Sequence, residues 1–218
     1  MLKIGTQLIT ALLISNILIT ACVSEKESAQ RQPSATATAS QDSQKPSLSI
    51  PDAEWEPPFF EFLETHTRGL NLPSLRTVVL PGKDDLEVRF WIDGLARNLN
   101  GVVIKRQAGQ WSAIRVYETG ERQEKAVTQE SLAEPSSGWK GAWEKLVSAG
   151  ILMLPDASKV NCNITAVDGV GFVVETNFNW SYRTYYYRNP QLASCDEAKR
   201  MMSIVQVMAD EFTLSRKL

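Results

Sequence analysis

The chain predicts an α+β fold, an antiparallel sheet of hairpins packed by about three helices in a single domain over residues 51–218. Three observations predict it. Two runs of β-branched and aromatic residues fold back around short turns, three further stretches carry apolar residues at steps of three and four, and strands and helices do not alternate as regular βαβ units.

The elements follow in order. Pro57 and Pro58 introduce a first helix on which Phe59, Phe62, Leu63 and His66 fall at i, i+3, i+4 and i+7, and Gly69 can end it. "LEVRFWID" then alternates, with Leu86, Val88, Phe90 and Ile92 on one face and Glu87, Arg89, Trp91 and Asp93 on the other, the pattern of a half-buried strand. "GVVIKRQAGQWSAIRVYE" reads as a hairpin around Ala108-Gly109, where glycine supplies the positive φ of the turn. Trp139, Trp143, Leu146 and Val147 take helical spacing, and Gly150 closes that helix. "ITAVDGVGFVVETN" and "SYRTYYYRN" form a second hairpin around Phe178-Asn179. The last helix opens with a capping box, Ser194 and Glu197, and its stripe runs through Ala198, Met201, Val205, Met208 and Phe212.

The first fifty residues have a different composition. Met1 to Ala21 carries one basic residue, Lys3, and an apolar core from Leu8 to Ile19. A spanning helix needs about 20 apolar residues, so this shorter run reads as a secretory signal. Its ending, Ile19-Thr20-Ala21-Cys22, resembles the lipobox of bacterial lipoproteins. That resemblance implies lipid attachment at the Cys22 thiol, cleavage after Ala21 and acylation of the new amine; two or more acyl chains anchor stably. Val23 and Ser24 follow, without the acidic residue that retains such lipoproteins in an inner membrane, which implies palmitoylated attachment to the outer membrane, facing the periplasm or the cell surface. Residues 22–50, rich in Ser, Ala, Thr and Gln and without an aromatic residue, read as a flexible tether reaching about 30 Å. The expected division is therefore 1–21 signal peptide, 22–50 lipidated cysteine and tether, and 51–218 globular domain.

Charge and motif content narrow the function. Of 23 basic and 25 acidic residues, four basic and three acidic lie before Pro51, which leaves 19 and 22 scattered through the domain without a basic face. This argues against a nucleic-acid partner. His66 is the only histidine, so a multi-histidine metal site is excluded, and there is no nucleophile elbow, P-loop or dinucleotide fingerprint. His66 reads as a partly buried structural side chain. Asp168 and Glu175 fall on one strand at an odd separation and point to opposite faces, and Asp84 and Asp85 read as a solvated turn. These features argue against an enzyme, and no catalytic residue, metal ligand or cofactor is assigned.

Two groups of residues are singled out instead. In "SYRTYYYRNP", Tyr182 and Tyr186 share a face with Thr184, while Tyr185 and Tyr187 share the other with Arg183. One side covers the core; an exposed patch drawn from Tyr182, Arg183, Tyr185, Tyr187 and Arg188 is the binding candidate, since tyrosine and arginine are enriched in interfaces. The second group is Cys162 and Cys195, expected to form a disulfide in an oxidising compartment. With Phe178-Asn179 as the loop, facing residue numbers sum to 357 and place 162 opposite 195, although Pro190 interrupts the ladder.

From Trp139 onwards, "W…W…L…GI…LPD", "DG", "VE" and "YRTYYYRNP" are similar to recurring segments of uncharacterised bacterial secreted proteins and lipoproteins, a resemblance that implies no activity. The expectation is a lipid-anchored cell-envelope protein acting as a binding or interaction module, held to the membrane by its lipid and engaging an unidentified envelope partner. The alternatives are an inhibitor or immunity lipoprotein against a toxin or hydrolase, and a carboxylate-based hydrolase.

Overall fold

The computed structural model describes residues 47–94, 98–120, 125–162 and 168–214; the expected signal segment, Cys22 and most of the expected tether lie outside them. Seven strands, β1 (Ser47–Ser49), β2 (Leu86–Asp93), β3 (Asn100–Gln107), β4 (Gln110–Thr119), β5 (Ala126–Ser131), β6 (Gly171–Phe178) and β7 (Ser181–Arg188), form one sheet in the order β1-β7-β6-β2-β3-β4-β5. Three helices pack on it, α1 (Glu56–Thr67), α2 (Gly138–Ala149) and α3 (Asp196–Glu211). No helix among the described residues is long and apolar enough to cross a membrane.

The α+β class holds, but the sheet is mixed rather than antiparallel throughout. β1 runs parallel to β7, with Ser47, Leu48 and Ser49 beside Ser181, Tyr182 and Arg183. These three residues were expected at the end of the tether. Two serines around one exposed leucine give no strand pattern of their own; the segment pairs along the edge of β7.

Alternation along β2 is as expected, but the strand is not half-buried. Leu86, Val88 and Phe90 pack with Leu146, Met201, Ile204 and Met208 of α2 and α3, while Trp91 packs with Phe60 and Leu63 of α1. β2 lies between β3 and β6, with helices on both faces, so all six residues from Leu86 to Trp91 are buried. Each large apolar side chain so enclosed contributes about 1.5–3 kcal/mol.

Helix boundaries follow local chemistry with small shifts. α1 opens on prolines, which fit a first turn whose N–H groups have no intrahelical acceptor, and the left-handed residue beyond it is Asn71 (φ 52°) rather than Gly69. Its most buried stripe is Phe60, Leu63 and Thr67, while Phe59, Phe62 and His66 are half-buried. Gly150 (φ 97°) ends α2 as expected, its N–H bonding back to Leu146 O and Val147 O. The expected stripe of α3 is buried throughout.

The cap of α3 is Cys195, not Ser194: its Sγ accepts the Ala198 N–H at 3.4 Å. Cys195 is also bonded to Cys162, with Cα atoms 5.6 Å apart, so the expected disulfide is present although the register that suggested it is not. Phe178 pairs with Ser181, and Val174 with Tyr185 rather than Arg183. Asn179 and Trp180 form the turn, both with positive φ. Asparagine tolerates that conformation and phenylalanine resists it, so the loop moves one residue along and the facing partner moves by two. The shift preserves which face each side chain takes. The bridge depends on proximity beyond the ends of the hairpin, not on its ladder.

Candidate functional site

The expected tyrosine patch is not an exposed surface. Tyr182, Tyr185 and Tyr187 are fully buried, because α1 covers one face of β7 and α2 with α3 covers the other. Their hydroxyls donate inward: Tyr185 to Ile151 O and Tyr187 to Pro155 O, each at 2.9 Å, and Tyr182 to Glu175 Oε1 at 3.1 Å. Arg183 donates to Leu152 O and, at 2.8 Å, to Leu154 O, fastening the segment after α2. Burial pushes all three phenols above their ordinary pKa. Of the five candidates only Arg188 is exposed.

Beneath α1 lies a buried polar layer. Glu175 accepts Trp91 Nε1–H at 2.8 Å and the Tyr182 hydroxyl on its two oxygens. Burial pushes this carboxyl upward, opposed by Arg89, the two hydrogen bonds and Arg76. Arg89 pairs with Glu87 at 2.7 Å and donates to Pro73 O at 2.9 Å, and Asn177 Nδ2 donates to Val78 O at 2.8 Å. These bonds tie the 73–78 segment to the sheet. Asp168, expected on one strand with Glu175, precedes β6 and is exposed. Asp84 is exposed as expected, but Asp85 is buried and accepts Gly82 N–H at 3.0 Å and Ala108 N–H at 2.8 Å, which holds the β2 and β3 ends together. His66 is half-buried, with Nδ1 2.8 Å from Phe62 O and its ring 4.0 Å from that of Phe62.

At one end of the sheet, between α1 and strands β2, β6 and β7, a cleft of about 350 Å³ opens. Trp55, Phe59 and Phe62 line it from α1 and the residue before it, and Tyr186 lines it from the sheet. Its charged groups come from a single row: Asp93 on β2 pairs with Gly171 on β6, which pairs with Arg188 on β7. Gly171 is required because the Tyr186 ring occupies the place of a side chain there. The Tyr186 hydroxyl donates to Asp93 Oδ2 at 3.3 Å, and its ring lies 5.2 Å from that of Trp55. Burial, then Asp93, push the Tyr186 phenol up, and Arg188 acts against them. Trp55 Nε1 is buried without an acceptor among the described residues. The rim is set by Gly169 (φ 150°), against which Asn189 packs; Asn189 also donates to Asp168 O at 2.8 Å and accepts Val170 N–H at 2.9 Å. At position 169 a residue other than glycine would collide with Asn189.

Chemically, the cleft offers aromatic walls, one carboxylate and one guanidinium. A mechanism with two carboxylates finds one partner, Asp93, among its described lining residues. A wider depression of about 700 Å³ lies beside Trp111 and Trp143; of its carboxylates, Asp84, Asp85 and Glu144, Asp85 is committed to backbone N–H groups. The His, Cys, Asp and Glu side chains found close enough to share a cation among the described residues are Cys162, Cys195 and Glu197, and both sulfurs are bonded to each other.

Of the cleft residues only Arg188 was singled out from sequence. Asp93, Gly171 and Tyr186 become a site through the pairing of β2 with β6, two strands separated by more than a third of the chain. No family model, curated protein or solved structure matches the chain.

Proposed function

We propose that this chain is a lipid-anchored protein of the bacterial cell envelope that acts as a binding module, with the aromatic cleft between α1 and the sheet as its ligand site. The observation that carries the binding part is the Asp93–Gly171–Arg188 row under four aromatic rings. Desolvated aromatic surface supplies attraction, and a few charged groups around it supply orientation, the usual composition of a small-ligand site. The anchoring part rests on Ile19-Thr20-Ala21-Cys22 and on the polar stretch that follows, which would hold the domain clear of the headgroups. The outer membrane is the proposed location, from Val23 and Ser24 after the cysteine.

Metabolic labelling with a fatty-acid analogue tests the anchor. Wild type takes up label and Cys22→Ser does not; equal labelling of both overturns it. Affinity capture from envelope extract tests the cleft: Arg188→Gln should lose material that wild type retains, and identical capture by the two overturns the assignment of the site.

A further inference from the structure

Resting on that reading of the cleft, we propose that its ligand is zwitterionic: an alkylated ammonium joined by a short linker to a phosphate or carboxylate, with the ammonium among the rings beside Asp93 and the anion on Arg188. The geometry separates the two charges. Adjacent strands lie about 4.7–4.9 Å apart, so Asp93 and Arg188, one strand to either side of Gly171, have Cα atoms about 10 Å apart. Both point to the α1 side of the sheet, as Trp91 and Val173 do. Glycine puts no side chain between them, and the Tyr186 ring floors the gap.

Neither charged side chain has an ion-pair partner among the described residues. Asp93 accepts one bond, from the Tyr186 hydroxyl. The Arg188 side chain makes no hydrogen bond or ion pair among the described residues. A guanidinium is a planar set of donors matched to phosphate or carboxylate oxygens. Ring faces attract an ammonium, most strongly where it is desolvated; Trp55, Phe59, Phe62 and Tyr186 line the cleft with Asp93, and the Tyr186 hydroxyl touches the carboxylate. A simple cation would leave Arg188 repelling it, a simple anion would meet Asp93, and a neutral sugar could hydrogen-bond both groups but would balance neither charge. A zwitterion answers both. The volume of about 350 Å³ lies at the small end of ligand sites and suits a headgroup-sized molecule.

The test uses the purified full-length chain in non-ionic detergent, titrated calorimetrically with phosphocholine. One molecule should bind per chain, more tightly than choline or inorganic phosphate alone. Asp93→Asn, which keeps the acceptor for Tyr186, and Arg188→Gln should each weaken binding about ten- to a hundredfold, with unchanged melting curves. Dihexanoyl phosphatidylcholine below its micellar concentration distinguishes sources: binding equal to phosphocholine assigns a lipid headgroup, and binding by phosphocholine alone assigns a free metabolite. No binding of phosphocholine or glycine betaine, or equal affinity in wild type and both folded variants, overturns the proposal. Should N-acetylglucosamine bind instead, the ligand class fails and the cleft stands; envelope capture indifferent to both variants means that the cleft itself fails.

Discussion

Toward α2 and α3 the central strand β2 presents Leu86, Val88 and Phe90; toward α1 the same strand presents Glu87, Arg89 and Trp91, equally buried. The first face is apolar apart from Thr176 beside Val88 and the Tyr185 and Tyr187 hydroxyls, which reach loop carbonyls. The second encloses charge and must satisfy it, with Arg89 between Glu87 and Pro73 O, and Glu175 between Trp91 and Tyr182. An apolar face gains free energy from area alone, whereas a buried polar layer gains little overall and fixes geometry through the bonds it must complete. The difference teaches where stability and specificity reside: the α2/α3 side holds the molecule together, and the α1 side fixes the 73–78 segment against the sheet.

The largest effect should come from releasing the α2/α3 side from its covalent pin. The bridge spans a separation of 33 residues, and replacing both Cys162 and Cys195 by serine should cost about 4 kcal/mol in urea denaturation by the chain-entropy model. A loss below about 1 kcal/mol would remove the pin from the comparison. On the opposite face, Trp91→Phe keeps an aromatic ring but deletes the N–H that Glu175 accepts and leaves a small cavity, so at least about 1–3 kcal/mol should be lost. A neutral result would show that the layer does not depend on this bond.

The smallest effect, and the sharpest contrast, is in pH. Lys145, with the Ser136 hydroxyl and Ser137 N–H, holds Glu211 of α3 down to about 2. Folding weakens its hold on a proton, so its contribution is present above the unfolded carboxyl range near about 4.3 and is lost as pH falls from there toward about 2. Glu175 is pushed the other way by burial, so its contribution is greatest below that range and is lost as pH rises through its folded value. Melting curves from pH 2 to 8 should show Glu211→Gln losing its effect in acid, and Glu175→Gln gaining on wild type as pH rises. Parallel profiles for both variants would contradict the assignment of opposite environments.

Local pattern made several of these features legible in advance. The two-residue turn at Ala108-Gly109, the parity of β2, the glycine stop after α2 and the apolar stripe of α3 depend on neighbours within a few positions. Pairings between distant segments were not legible. Nothing within "LEVRFWID" indicates that β6 lies beside it, so neither the full burial of Glu87 and Arg89 nor the row through Asp93 and Arg188 could be read from it. The tyrosines show the same limit: their alternation was right, but exposure depends on what covers each face, and α1 comes from more than a hundred residues earlier in the chain. The cysteines paired without the ladder that seemed to align them, because a bridge needs only closeness.

β1 occupies the outer side of β7 at Ser181–Arg183, and further along Asp156 Oδ2 takes the Tyr186 N–H at 2.8 Å. A foreign strand approaching that margin finds those hydrogen-bonding groups already engaged. At the opposite margin β5 pairs with β4 alone among the described residues, and its outer groups are the free template that edge strands offer. The other edge strand, β1, offers only three residues, so among the described residues β5 presents the longer margin for strand addition by a peptide or a second copy. Growth there proceeds away from β2, β6 and β7, and it leaves the mouth of the cleft unobstructed.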